Sequence, residues 1–133
     1  MSTAVETKSL PGQFIPPELA ESAGDIDRQT ADALAFGAVR VDDTGRIVLY
    51  NRYEADLAGI EPPAAEGRNF FTEVAPCTNN ALFYGQFKKG VNAGNLNLIF
   101  NYTFSYKMRP TNVRVHMLRD PASKANWVFV KKP

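Results

Sequence analysis

Leu96-Asn97-Leu98-Ile99-Phe100-Asn101-Tyr102-Thr103-Phe104-Ser105-Tyr106-Lys107-Met108 is the stretch that decides the fold. Leu96, Leu98, Phe100, Tyr102, Phe104, Tyr106 and Met108 occupy every second position. An extended chain therefore gathers them on one face, because successive side chains of a strand point to opposite sides. The spacing predicts a core strand. Val113, Val115 and Met117 repeat the alternation, Pro121 to Asn126 supplies a loop, and Trp127 to Val130 forms a last strand.

On the N-terminal side of that stretch the period changes. Ala81 to Ala93 carries Leu82, Phe83, Phe87 and Val91 at helical spacing and ends at Gly94, which predicts an amphipathic helix. The preceding chain is broken into small pieces. Asn69 to Val74 predicts a short turn before Pro76, and Asn51 to Ala58 one or two helical turns ending at Gly59. Glu61-Pro62-Pro63 keeps the latter from continuing. Phe36 to Val41 and Arg46 to Tyr50 are extended runs joined by Asp42-Asp43-Thr44-Gly45, a hairpin composition. Before them, Pro16-Pro17 opens a short helix through Ser22, and Asp25 caps another from about Ile26 to Leu34. This polar prelude lacks a dense apolar pattern, so it packs on a core built elsewhere or frays from it. Two strands, a helical crossover and three strands predict one antiparallel sheet with helices on a face, an α+β fold.

The 133 residues carry 15 Lys plus Arg against 14 Asp plus Glu, a formal net charge of +1. No strong field attracts nucleic acid or an anionic membrane. A single Cys cannot close an internal disulfide, Met1 to Leu10 has no apolar export signal, and no apolar run approaches the ~20 residues that span a bilayer. The expectation is a cytoplasmic, non-membrane protein.

Cys77 lies in Ala75-Pro76-Cys77-Thr78, between a short turn and the longer helix. A lone cysteine is most often a small buried hydrophobe. Placed near a helix start, it is alternatively a thiolate that attacks an activated acyl group. Tyr50 and Glu54 stand four apart, a spacing that brings a hydroxyl and a carboxyl to one side. Such a glutamate is ordinarily a solvated surface charge. His116, the single histidine, allows a Cys–His nucleophile pair, but no orienting acid is identifiable. A surface or structural role suits it better. No phosphate-binding glycine pattern, metal-ligand cluster or basic repeat is present.

Several segments taken together resemble the photoactive yellow protein family. They are Leu34 to Ala38, Tyr50-Asn51, Asn69-Phe70-Phe71, Val74 to Thr78, Phe83-Tyr84-Gly85, Gly94 to Asn97, Tyr102-Thr103-Phe104 and Trp127 to Lys131. The resemblance runs from about residue 33 to 132. It implies a PAS fold, a five-stranded antiparallel sheet with helices on one face and an N-terminal cap on the other. Residues 1–32 would form the cap segment and 33–133 the chromophore-binding domain. It also implies a blue-light receptor, not an enzyme, with trans-p-coumaric acid bound to Cys77 as a thioester. By the same match Tyr50 and Glu54 hydrogen-bond the phenolic oxygen. Val39, Phe70, Val74, Pro76, Phe104, Tyr106 and Met108 line or adjoin the pocket.

Two positions depart from the family. Ala58 stands where well-known members have a threonine that bonds the tyrosine hydroxyl, and Ile60 where they have an arginine. Tyr50 is therefore expected to lack a second partner. A PAS module for another ligand and a Cys-dependent acyl-transfer enzyme are the alternative readings. A domain of this kind signals through a downstream protein, itself being a monomer or weak dimer.

Overall fold

The computed structural model describes residues 12–105 and 109–132. Its elements are α1 (Pro17–Glu21), α2 (Arg28–Asp32), β1 (Gly37–Val41), β2 (Ile47–Tyr50), α3 (Arg52–Ala58), α4 (Pro62–Ala65), α5 (Tyr84–Ala93), β3 (Asn97–Phe104), β4 (Thr111–Asp120) and β5 (Ala125–Lys131). The five strands form one antiparallel sheet in the order β2-β1-β5-β4-β3. The first and last thirds of the chain thus meet at its centre, where β1 pairs with β5. Among the described residues no helix is long and apolar enough to cross a membrane.

Alternation along the central strands divides the core in two. Val39, Val41, Val115, Met117, Val128 and Val130 face the layer built by Phe70, Phe71, Phe83 and Phe87. Ala38, Leu118, Trp127 and Phe129 face the other way, against Ile15, Ala23, Ile26 and Ala31. Residues 1–11 of the expected cap segment lie outside the described residues, while residues 12–32 form a cap with a core of its own. Its anchor is the Trp127 indole, which donates to the Ala23 carbonyl at 2.8 Å within that core. Buried Tyr and Trp donors generally find such partners.

The hairpin follows its composition. Asp42 Oδ1 accepts the Thr44 and Arg46 amides at 2.9 and 3.0 Å, and Gly45 adopts φ +94°. Other elements differ from expectation for identifiable reasons. Asp27, not Asp25, caps α2, accepting the Thr30 amide at 2.8 Å, while Asp25 ends a tight turn. The Glu61-Pro62-Pro63 stop also starts α4, because proline fits a first helical turn. Helix α5 begins at Tyr84, and Leu82 is 73% exposed. The Asn80 carboxamide takes the Leu82 and Phe83 amides into a turn instead. Strand β3 lies at the sheet's edge, so Leu98, Phe100 and Tyr102 are half-buried and only Phe104 is fully enclosed. Periodicity finds the apolar face of a strand but not its place in the sheet.

Candidate functional site

The crossover from β2 to α3 is built around Asn51. Its side-chain oxygen accepts the Ala38 and Glu54 amides at 2.9 and 3.1 Å. Its nitrogen donates to the Ala31 and Phe36 carbonyls at 2.7 and 3.0 Å. A carboxamide can satisfy its donors and acceptors in this way without water. Asn51 fixes its two functional neighbours in space. Tyr50, at the end of β2 opposite Val39, is wholly buried, and Glu54, in the first turn of α3, is 2% exposed. Beneath Glu54 lies Gly37, where any Cβ would collide with Glu54 Oε1.

Tyr50 Oη and Glu54 Oε1 are buried and make no hydrogen bond among the described residues. Burial raises the Tyr50 phenol well above its usual value, and the Glu54 charge adds to this. Burial alone pushes the Glu54 carboxyl up to about 7. A carboxyl in such a site is half-protonated near neutral pH and serves as either donor or acceptor.

Cys77 comes from the opposite wall. Asn69 Oδ1 accepts the Phe71 and Thr72 amides, starting a π-helical turn over Phe70–Val74. Pro76 then opens a 3-10 turn through Thr78, closed by the Thr78 hydroxyl donating to the Ala75 carbonyl at 2.7 Å. The Cys77 carbonyl accepts from Tyr102 Oη at 2.5 Å and Asn80 Nδ2 at 3.2 Å. These bonds hold the backbone and leave the half-buried thiol uncommitted.

The two walls enclose a cleft lined by Tyr50, Glu54, Ala58, Ile60, Phe70, Val74, Ala75, Cys77 and Phe104. The cavity is narrow, about 20 Å³. Of the residues singled out in the sequence, Val39 sits behind Tyr50 in the core and Pro76 beside Cys77, and neither lines the cleft. Tyr106 and Met108 fall outside the described residues. Gly37, Asn51 and Ala75 fall in segments that carry the family resemblance, but no role of their own is legible for them in the sequence. The sequence predicts Asn51 as the first residue of the helical turns, and the structure makes it their N-cap instead.

His116 is buried on the other face of the sheet, bonded to Asn97 Oδ1 at 2.6 Å and ringed by Phe14 and Phe129. Of the two roles expected for it, surface or structural, the structure bears out the second, with Phe14 from the cap covering the ring. The sheet separates it from Cys77, so the two form no nucleophile–base pair.

A five-stranded sheet with a helical layer around an internal cleft defines a PAS-fold sensor domain, and a family model described as "PAS fold" matches residues 27–130. The chain is 42% identical over 120 residues to a photoactive yellow protein of Rhodothalassium salexigens, covering 90% of this chain and 96% of that protein. It is 41% identical over 119 residues to one of Halochromatium salexigens, covering 90% and 95%. The photoactive yellow protein domain of the sensor histidine kinase Ppr from Rhodospirillum centenum superposes with a TM-score of 0.76 at 42% identity, over 81% of this chain and 95% of that one. The chain belongs to the photoactive yellow protein family. It is a photoreceptor and not an enzyme. Because unmodified side chains do not absorb visible light, a yellow photoactive protein carries a chromophore.

Proposed function

We propose that Cys77 carries trans-p-coumaric acid as a thioester, and that Tyr50 and Glu54 bind its phenolic oxygen. The chain then reports blue light through a trans–cis photocycle with proton transfer and partial unfolding. The observation that carries this reading is the pair of buried polar atoms without partners, Tyr50 Oη and Glu54 Oε1, lining the same cleft as the thiol. Such orphans are rare in folded proteins, and two donors facing one apolar cleft fit an oxyanion between them. The cleft's narrowness adds a requirement: an aromatic ring seats only if the lining side chains spread.

When bound, the group supplies a double bond that light isomerises and a phenol whose ionisation shifts absorption into the visible. The protein's part follows from the site. Cys77 sulfur displaces the activating group of an acyl donor, forming the C–S bond as that group leaves with its electron pair. Glu54 donates to the phenolic oxygen only while it is protonated, and a neighbouring anion raises its pKa further. As that oxygen leaves its donors, Glu54 passes its proton to the phenolate oxygen, which becomes a neutral phenol, and Glu54 is left as a carboxylate 2% exposed. An unpaired buried charge costs several kcal/mol against a total stability of ~5–15 kcal/mol, enough to drive local opening. The N-terminal cap is the segment proposed to open, with a downstream cytoplasmic protein as reader. Tyr50 Oη, with Ala58 and Ile60 beside it in the cleft, receives no support from either, which favours a drier pocket or a larger protonated-phenol fraction in the dark.

Incubation with activated p-coumarate is expected to give a stable yellow thioester that Cys77→Ala abolishes. Difference infrared spectroscopy should show a carboxylic acid band lost on illumination, and Glu54→Gln should remove that loss. A band that persists throughout the photocycle overturns the proton-transfer step.

A further inference from the structure

Tyr50 ends β2, an edge strand of the sheet. Its buried backbone N–H bonds outside the sheet, donating to Glu66 Oε2 at 3.0 Å. The same oxygen receives Arg28 Nη2, from α2 in the N-terminal segment. One carboxylate oxygen thus joins a cationic side chain of the cap to the main chain of a residue whose hydroxyl lines the cleft. Neighbouring contacts run between the same two segments: Asp32 Oδ1 accepts the Arg52 amide at 2.8 Å, and the Ala31 carbonyl accepts Asn51 Nδ2 at 2.7 Å.

We infer that Arg28 and Glu66 form an ionic latch through which docking of the N-terminal segment positions Tyr50. Arg28 and Glu66 are positioning residues, acting on the cleft only through the Tyr50 backbone. With Arg28 in place, the Glu66 carboxylate is held over the Tyr50 N–H. Without it, the partly exposed carboxylate gains more by turning toward water, and a buried donor on a sheet edge loses its acceptor. The Arg28 and Glu66 side chains are 47% and 25% exposed, so salt screens the pair and loosens the latch. Coupling of this kind is reciprocal: strain on Tyr50 weakens cap docking as much as cap release frees Tyr50. The inference rests on the proposed role of Tyr50 for its relevance to light sensing, but not for its test.

The test is hydrogen exchange of the Tyr50 amide in the chain itself, without chromophore. Arg28→Gln is expected to accelerate exchange about tenfold, as loss of a buried donor's partner would. Raising salt to ~1 M should do the same in the wild type and add nothing in Arg28→Gln. Glu66→Ala should exchange at least as fast, while Glu66→Gln, which keeps an acceptor oxygen but no charge, should fall between. Exchange unchanged in Arg28→Gln, or accelerated equally by salt in both proteins, overturns the latch. Failure to form a yellow adduct would overturn the reading of Cys77 and leave this result standing.

Discussion

Gly37 shows how much of the site depends on a missing atom. Its Cα approaches Glu54 so closely that a Cβ would collide with Oε1, and the Val130 carbonyl would lie 3.3 Å away on the other side. Backbone blocks one escape, so the carboxyl must move. Gly37→Ala is predicted to cost ~1–3 kcal/mol in urea unfolding, the usual range for overpacking. It should also shift the Glu54 carboxyl infrared band, whereas Ala38→Gly, one residue along, should leave that band in place. Cys77, Tyr50 and Glu54 were legible in the sequence because reactive and ionisable side chains announce themselves against a family pattern. Gly37 was not, since its contribution is space, and the need for space appears only once α3 is folded over β1.

Asn51 belongs to the scale of elements. It caps α3, ties β1 to the start of α3 and accepts the Glu54 amide, while its nitrogen holds α2 and Phe36. Replacing it with alanine leaves a cluster of buried backbone groups unpaired, so Asn51→Ala should destabilise by ~3 kcal/mol or more. Asn69→Ala, which removes the cap of a partly exposed turn, should cost only ~1 kcal/mol. Denaturant midpoints of the two variants check the ranking; equal losses would mean that Asn51 acts as a simple cap. Elements with an unambiguous period or stop were found from sequence, as α3 was from Asn51 and Gly59. The misplaced ones share a cause. Leu82 fits a helical stripe yet sits in an asparagine-closed turn, and β3 has a core-like face but an edge position, because strand order depends on the β1–β5 pairing between distant segments. The cap was hardest to foresee, since its apolar residues are sparse until Trp127 and Phe129 gather them.

Across the whole molecule, the sheet separates two buried titratable groups with opposite effects on stability. On the helical face, Glu54 titrates at about 7 when folded against 4.5 when free. Between those values the folded state holds a proton that the unfolded chain releases, so stability falls as pH rises. On the cap face, where Glu21, Arg119 and Asp120 share its cavity, burial lowers His116 to about 4 from 6.5. There the unfolded chain takes up a proton that the folded state refuses, so stability rises with pH. Each slope is ~1.4 kcal/mol per pH unit, and between pH 4.5 and 6.5 the two cancel. Removing either group uncovers the other. Glu54→Gln should match the wild type below pH 4.5 and exceed it increasingly up to pH 7, by ~3 kcal/mol. His116→Gln should show its largest advantage at pH 4 and lose ~3 kcal/mol of it by pH 6.5. Urea unfolding of the chromophore-free chain from pH 4 to 8 measures both differences. Profiles parallel to the wild type would mean that the two groups are solvated in the folded protein. A slope in Glu54→Gln alone would place the acid sensitivity of the cap elsewhere than His116.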